Sequence, residues 1–310
     1  MKAVELSKPM DIKALFRDFG QSLNSWVNIK IGYDEKIYIL LSEHIPERIN
    51  GMFVNTEANS VYSAIILEVD WYESKITGQT FVNLGQHKMN FHMIQPVGEN
   101  ILLLGARCRY HGENGPEKNA VIVDLQGNIV REFCFGDGIE DCIVTRNGDI
   151  ITSYFDEGVF GNYGWDNPIG YCGLIVWNSD GEVKWKADRD ICDCYAVNVD
   201  DYNNLWYYYY TEFELVKTDF LKEKVYKPQI EGASGFLITA DAGKVIFDGG
   251  YQAHGNFVMA PLKEDELKDF EKLQLFCEGK NLLIKLYTFM KSKAVFIDSD
   301  NRMFVKWFIS

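Results

Sequence analysis

The chain has 310 residues, of which 47% are hydrophobic and 14% aromatic, so it can bury a large core and is not generally disordered. Its formal net charge of −14 argues against nucleic-acid and anionic-membrane partners, since both bind through basic surfaces. The same charge fits either a cationic partner, through electrostatic steering, or solubility alone, which is what net charge mostly reflects.

Six similar segments follow one another along the chain, each with a hydrophobic strand, a polar turn and a second hydrophobic strand. They read IKIGYDEKIYIL, MIQPVGENILLL, CIVTRNGDIITS, VNVDDYNNLWYY, LITADAGKVIFD and VFIDSDNRMFVK. The first apolar residues after the six turns are 64, 49, 55, 40 and 58 residues apart: Ile37, Ile101, Ile150, Leu205, Val245 and Met303. A period near 50 built only from strands predicts a radial β repeat.

A further hairpin lies between each segment and the next. Each repeat then has four strands in total, which is the number in one propeller blade. The sixth segment has only seven residues after Met303, so its second hairpin must come from elsewhere. Val4 to Leu6 and residues 10–20 repeat the hairpin pattern of 123–136. We therefore expect residues 1–25 to complete the last blade, which also pairs strand edges that would otherwise be exposed.

The chain resembles six-bladed β-propellers over its whole length, in particular the NHL, gluconolactonase-like and quinoprotein-like forms of the strand–turn–strand pattern. The resemblance implies an all-β, six-bladed β-propeller in a single domain over residues 1–310. The predicted blades cover these ranges: 26–86, 87–138, 139–190, 191–232, 233–279, and 280–310 with 1–25. Ligands of such folds meet one face, which the loops build.

A long loop over residues 154–172 combines aromatic, acidic and glycine residues. Tyr163 and Trp165 are the predicted anchors for a ligand, with Phe160 and Asp166 beside them, because aromatic side chains with a few carboxylates are typical of binding hot spots. The alternative is a loop that folds its rings onto its own blade.

Aligning the six segments places a polar residue near the start of the innermost strand in the first three blades: Asn28, His92 and Asp141. His92 and Asp141 are candidates for general acid–base catalysis, and all three are candidates for a divalent cation. Four more polar residues fall near the same loops and are binding candidates: His87, Asp137, Asp193 and His254. The alternative is that these groups cap strand ends and face solvent. No cofactor is predicted beyond that cation.

Seven cysteines, an odd number, lie mostly within strand patterns, which predicts buried free thiols in a reducing compartment. Residues 1–16 lack the apolar core of a secretory signal, and no segment has the ~20 apolar residues that cross a bilayer. We therefore predict a cytoplasmic protein.

No signature of nucleophilic catalysis occurs in the sequence, which favours a binding propeller over an enzyme. The first hypothesis is a propeller that engages a protein partner through its loops, with an immunity-type inhibitor of a basic toxin as the specific form. The alternatives are a cation-dependent hydrolase or lyase at the channel mouth, and a binder of a small molecule or sugar.

Overall fold

A computed structural model describes residues 1–49, 53–263, 265 and 267–310. An N-terminal segment contains β1 (Lys2–Glu5), β2 (Met10–Asp11) and helix α1 (Ile12–Asp18). Asp11 caps α1 by accepting the backbone N–H groups of Lys13 and Ala14. Ile12, Leu15 and Phe16 are buried on one side of this helix, as expected for residues three and four positions apart.

The first three sheets each have four antiparallel strands. The first contains β3 (Trp26–Ile31), β4 (Ile37–Ser42), β7 (Glu57–Asp70) and β8 (Lys75–Met89), with the hairpin β5 (Arg48–Ile49) and β6 (Phe53–Val54) inserted. The second contains β9 (Met93–Val97), β10 (Asn100–Leu104), β11 (Ala120–Val123) and β12 (Ile129–Phe133). The third contains β13 (Ile139–Val144), β14 (Ile150–Tyr154), β15 (Leu174–Trp177) and β16 (Val183–Lys186), with helix α2 (Asp156–Phe160) after β14.

The last three sheets follow the same plan. The fourth contains β17 (Asp193–Val199), β18 (Leu205–Tyr210), β19 (Glu214–Thr218) and β20 (Glu223–Tyr226). The fifth contains β21 (Phe236–Ile238), β22 (Lys244–Asp248), β23 (Phe257–Pro261) and β24 (Glu271–Cys277), with β25 (Lys280–Asn281) at its edge. The sixth contains β26 (Ile284–Met290), β27 (Lys293–Asp298) and β28 (Arg302–Trp307), and its fourth strand is β2. Three short 3₁₀ turns complete the regular structure: Leu23–Ser25, Gly112–Asn114 and Gly250–Gln252.

The polar turns of the repeated segments close these hairpins as the sequence predicts. In the third sheet the Thr145 N–H donates to the Asp149 carbonyl over 2.9 Å. Gly148 has a φ of 82° in the same turn, a backbone conformation that costs glycine little. A tight turn of this kind fixes the strand register, so that Ile150 and Ile151 face the two sides of a buried strand.

The N-terminal segment completes the last sheet, although with one strand and not with the predicted hairpin. Met10 of β2 pairs with Met303 of β28 in antiparallel register. β1 instead adds in parallel to the fifth sheet, where Val4 pairs with Leu275 of β24. The sixth repeated segment supplies the second and third strands of its sheet, since β26 precedes it.

The chain divides into two compact units. The first contains Met1–Gly20, Glu68–Gly78 and Tyr195–Ser310, and the second contains Gln21–Leu67 and Gln79–Cys194. Each unit has its own buried apolar clusters, such as the one around Phe257 and Phe296 in the first unit and the one around Phe135 and Trp177 in the second.

The predicted fold class, a six-bladed β-propeller whose last blade the N-terminal residues complete, is confirmed. The division into one domain with the blade ranges given above stays a prediction. No helix among the described residues is long and apolar enough to cross a membrane.

Candidate functional site

Arg107 organises the loops of the second unit. Its side chain is almost fully buried, and its Nη2 lies 2.8 Å from Asp137 Oδ2 while its Nη1 pairs with Glu157. The guanidinium also lies over the ring of Tyr163, 4.1 Å from the centroid. One cation therefore joins the loop after β10 to helix α2 and to the 154–172 loop.

Asp137 was predicted to be a binding residue. In the structure its carboxylate is part of this network and already has protein partners. It is buried, and its Oδ1 accepts the Cys108 N–H over 2.7 Å. Burial raises the pKa of Asp137 to about 6, although the Arg107 charge and the Cys108 N–H oppose that shift. The carboxylate fixes the loop that carries Arg107.

Tyr163 and Trp165, the predicted ligand anchors, are largely buried, and their role in binding stays a prediction. Trp165 is 8% exposed and Tyr163 is 9% exposed. The Trp165 indole N–H donates to the Cys108 carbonyl over 2.7 Å, and both rings pack in a small cluster with Cys108. These large rings are buried because the loop over residues 106–119 covers them, and they hold the two loops together.

Other side chains of the 154–172 loop face solvent. Phe160 is 67% exposed at the end of α2, and Tyr171 is 58% exposed. Asp166 is exposed as well. The sequence therefore located a loop with aromatic and acidic exposure, but it assigned that exposure to the wrong rings.

A surface cavity of about 260 Å³ opens beside the buried Trp165. It is lined by Tyr110, Gly164, Trp165, Asp166 and Asn167. The rings of Tyr110 and Trp165 have centroids 5.1 Å apart, and Asp166 adds a carboxylate. An aromatic wall with one carboxylate suits a cationic group, which both a π face and a negative charge attract.

Asn28 and His92 lie at adjacent inner strands, as predicted, but they bond to backbone. The Asn28 amide donates to the His92 carbonyl over 2.7 Å, and His92 Nδ1 accepts the Ala106 N–H over 3.1 Å. Burial, with the Arg107 charge, lowers the pKa of His92 to about 4. His92 is therefore neutral at pH 7 and fixes the backbone that leads to Arg107.

Asp141 pairs with Lys30, and its Oδ1 also accepts the Cys142 N–H over 2.7 Å. Lys30 could have been found from the sequence, because it lies two residues after Asn28 on the same strand and thus on the same face. The catalytic hypothesis for His92 and Asp141 stays a prediction, and their backbone hydrogen bonds match the strand-capping alternative.

Two carboxylates near Asp141 have strongly raised pKa values. The surrounding protein, with the Asp141 charge, raises the pKa of Glu140 to about 7, against the effect of Lys30, but the Glu140 side chain is exposed to solvent, which screens these charges. Burial, with the charges of Glu140 and Asp156, raises the pKa of Asp193 to about 7. The Oδ1 atom of Asp193 is enclosed by protein and accepts no hydrogen bond. The sequence analysis named Asp193 as a binding candidate, and that role stays a prediction; the raised pKa values were not predictable from spacing, since the shifts come from tertiary proximity.

His87 and His254 have structural partners. His87 is buried between the rings of Tyr62 and Phe91, and its Nε2 lies 2.8 Å from the Leu84 carbonyl. These contacts match the alternative of a structural role, and the binding role of His87 stays a prediction. His254, in the first unit, contacts Asp248 Oδ2 through Nδ1 over 2.7 Å, and its binding role stays a prediction.

Within residues 1–49, 53–263, 265 and 267–310, no three His, Cys, Asp or Glu side chains are arranged to hold a metal ion. The cation hypothesis for Asn28, His92 and Asp141 therefore gains no support from the geometry. In that arrangement Lys30 already neutralises the Asp141 carboxylate.

The fold and the loop geometry define a six-bladed β-propeller with a small aromatic and acidic surface cavity. No protein-family model matches the chain, and no curated protein matches its sequence. The structure is similar to Hsv2 of Kluyveromyces marxianus, with a TM-score of 0.50 and 10% identity over 91% of this chain and 75% of that chain. It is also similar to a chain in the crystal structure of a mitotic checkpoint complex, with a TM-score of 0.52 and 8% identity over 99% and 94%. At these identities the likeness establishes the propeller fold alone.

Proposed function

We propose that the chain is a protein-binding propeller whose partner inserts a basic side chain into the cavity beside Trp165. The observation that carries the proposal is the cavity itself, which the neighbouring Tyr110 and Trp165 rings and Asp166 line together. Its volume of about 260 Å³ equals that of eight or nine water molecules at ~30 Å³ each, which is room for one side chain and not for a folded segment.

The surroundings of the cavity support a protein partner. Phe160 and Tyr171 on the same loop are exposed, and exposed aromatic side chains on a fixed scaffold are typical of interface hot spots. The loop itself is held by the buried Arg107 network, so little conformational entropy remains to be lost on binding. The mitotic checkpoint complex, one of the similar structures, is by its name a multi-component assembly.

The test is affinity capture from an extract of the source cells with the wild-type chain and with Asp166→Asn. We expect a basic protein to be retained by the wild type, and its affinity to fall about tenfold in the variant, the equivalent of ~1.4 kcal/mol. Asp180→Asn is the control, since Asp180 is an exposed acidic residue in the same unit. Equal retention by all three chains would exclude the cavity as the binding site. Retention of a sugar or other small molecule in its place would favour the small-ligand hypothesis.

Within this class we propose, more specifically, that the partner is a basic toxin which the chain neutralises. The net charge of −14 supports this form, because opposite charges accelerate the association that an inhibitor needs. The test is to express the captured partner alone and with the chain. Growth arrest by the partner that co-expression relieves would support the proposal, and a harmless partner would refute it.

A second candidate, a hydrolase or lyase, rests on Glu140 and Asp193. Carboxylates with pKa values near 7 suit proton transfer at neutral pH, and both have them. The test is turnover of lactone and ester substrates by the wild type and by Glu140→Gln. Activity that the variant loses, with an unchanged melting temperature, would support an enzyme, whereas activity equal in both would exclude these carboxylates.

A further inference from the structure

Two cysteine thiols of the second unit are in direct contact. Cys108 Sγ and Cys134 Sγ are 3.8 Å apart and share a hydrogen bond, and both are free thiols. A disulfide needs a separation of about 2.05 Å, so closing the bond requires only side-chain rotation and small local shifts. Cys108 lies in the loop after β10, and Cys134 directly follows β12.

The backbone around the two thiols is held in place by Asn119. The Asn119 amide donates to the Gly105 carbonyl and to the Gly136 carbonyl, each over 2.8 Å. Its side-chain oxygen accepts the Phe135 N–H over 3.0 Å. The contact between the thiols is therefore built into the packing of the two segments and does not depend on a free loop.

The two thiols differ in the way that stepwise oxidation requires. Cys134 is half-buried, whereas Cys108 is fully buried. The Cys108 thiol also donates to the Glu117 carbonyl over 3.4 Å, and its hydrogen bond with Cys134 together with burial raises the pKa of Cys108, so Cys108 is held in the thiol form. Because the thiolate is the reactive form, Cys134 is the sulfur that meets an oxidant first.

Three other cysteines are less reactive by the same criteria. Cys142, Cys172 and Cys194 are buried, and burial raises the pKa of each. These three thiols are less accessible to an oxidant than Cys134 and are held more firmly in the unreactive thiol form.

We propose that Cys108 and Cys134 form a redox-sensitive dithiol that closes to a disulfide when hydrogen peroxide reaches Cys134. The Cys134 thiolate attacks one peroxide oxygen, the O–O bond breaks, and a sulfenic acid and one water result. The Cys108 sulfur then attacks the Cys134 sulfur, the S–O bond breaks, and the second water leaves with the Cys108 proton. Two thiols lose two electrons in total, and one peroxide is reduced to two waters.

The disulfide would act on the loops that form the cavity beside Trp165. The Cys108 N–H donates to Asp137, and the Cys108 carbonyl accepts from Trp165, each over 2.7 Å. A covalent bond from Cys108 to Cys134 therefore anchors the backbone that fixes Trp165 and Arg107. This proposal concerns the dithiol itself and holds or fails independently of which ligand the cavity binds.

The test is to treat the full chain with one equivalent of hydrogen peroxide and to count thiols in denaturant. We expect the seven free thiols to fall by two, and peptide mapping to find one crosslink between Cys108 and Cys134. Dithiothreitol should restore all seven. A crosslink between other cysteines, conversion of Cys134 to sulfinic acid without a crosslink, or no loss of thiols would each overturn the proposal.

Two variants test whether Cys134 is one of the two cysteines that are oxidised. Cys134→Ser should lose no thiol pair under the same treatment, while Cys192→Ser should still lose two, because Cys192 takes no part in the contact. Peptide mapping of the wild type needs neither variant, so the outcome stands even if a serine substitution impairs folding. Equal thiol loss in Cys134→Ser and in the wild type would contradict the assignment.

Discussion

Arg107 is the residue on which the candidate site depends most directly. Its guanidinium is buried, pairs with the buried Asp137 and with the partly exposed Glu157, and lies over the Tyr163 ring. Buried ion pairs contribute little net stability when intact, yet they cost much when one partner is removed, because the other charge stays buried. The same side chain also lowers the pKa of His92.

We expect Arg107→Gln to lower the free energy of unfolding by about 3–5 kcal/mol, since Asp137 would remain buried without its cation. Urea unfolding followed by circular dichroism would measure this change. Arg131→Gln is the matched control: Arg131 pairs with Asp180 at the surface, where loss of a pair costs under about 1 kcal/mol. Similar losses in the two variants would mean that Arg107 is not a structural centre.

Asp193 gives a prediction with a defined sign. Burial raises its pKa to about 7 in the folded chain from a usual 3.8, so the folded state keeps a proton that the unfolded state releases between these values. Stability due to Asp193 is therefore greatest at low pH and is lost as pH rises from about 3.8 to 7. We expect the melting temperature of Asp193→Asn, relative to wild type, to increase across this interval and then to level off.

The control for the pH series is Glu113→Gln, which changes an exposed carboxylate of a surface turn. This variant removes a carboxylate without touching Asp193. An Asp193→Asn difference that shrinks as the pH rises would show that the folded state favours the charged form of Asp193.

Among the elements, helix α2 depends on a close approach to the start of the third sheet. Gly138 has a φ of 69°, and a Cβ at this position would lie 2.2 Å from the Gly158 nitrogen in α2. Only a glycine permits this contact, so Gly138 sets the path of the 154–172 loop.

We expect Gly138→Ala to destabilise the chain by about 1–3 kcal/mol more than Gly148→Ala does. Both alanines would adopt a left-handed conformation at a cost of about 1–2 kcal/mol. At Gly148, however, the nearest atom to a new Cβ is 3.9 Å away. Urea unfolding gives the difference, and hydrogen exchange should show lost protection in α2 for Gly138→Ala alone. Equal effects would mean that the loop adjusts without strain.

The strand β1 makes the fifth sheet depend on the N-terminal segment. Leu6, directly after β1, is 2% exposed and packs with Leu275 and Phe257. We expect Leu6→Ala to cost about 2–5 kcal/mol of unfolding free energy, as buried leucines do. Thermal unfolding would test this against Leu221→Ala, whose side chain is 90% exposed and whose change should stay within about 0.5 kcal/mol. Indistinguishable melting temperatures would show that β1 is only loosely attached.

The elements also show where sequence patterns stop being sufficient. Polar turns with Gly, Asp or Asn identified the inner hairpins of five sheets, because such turns have distinct chemistry. The first hairpin of the sixth sheet was missed because its two-residue turn is Lys291 and Ser292, and Lys291 adopts a positive φ of 56° without being glycine. Because this hairpin was not recognised, the sixth segment was assigned to the first two strands of its sheet, whereas it forms the second and third. Two further strands were therefore expected from the N-terminal segment, which supplies only one.

The candidate site was predictable in location and not in detail. Composition singled out the 154–172 loop, but the direction of each ring depends on the loop over residues 106–119, which packs against it. Trp165 is held in its buried position by the hydrogen bond from its indole N–H to the Cys108 carbonyl. The residues next to Trp165 in the sequence give no indication of this contact. The role of Arg107 was missed for the same reason, since its partners lie 30 and 50 residues away in sequence.

At the scale of the whole molecule, the repeated strands establish the architecture and leave the function open. Propellers serve many unrelated functions, so the similarity to Hsv2 and to a chain of the mitotic checkpoint complex cannot supply the partner. A basic partner, which the acidic charge favours, and the cytoplasmic location both stay predictions.

The thiol state of the whole chain is a further expectation. None of the seven cysteines is in a disulfide, and the contacting pair is held as two thiols. We expect thiol titration in denaturant, with protein purified anaerobically and without reductant, to count seven groups. A count of five or fewer under those conditions would show that disulfides form without added peroxide.

The pairing of the N-terminal strands has a consequence for biosynthesis. Lys2 pairs with Leu273 and Asp11 pairs with Arg302, so β1 and β2 are synthesised well before the strands with which they pair. Leu273 is added 271 residues after Lys2, which takes about 14–54 s at 5–20 residues per second. During that time the segment with Leu6 and Phe16 is without its native partners and is a natural target for chaperones, while the hairpins of the intervening sheets pair within their own sequence.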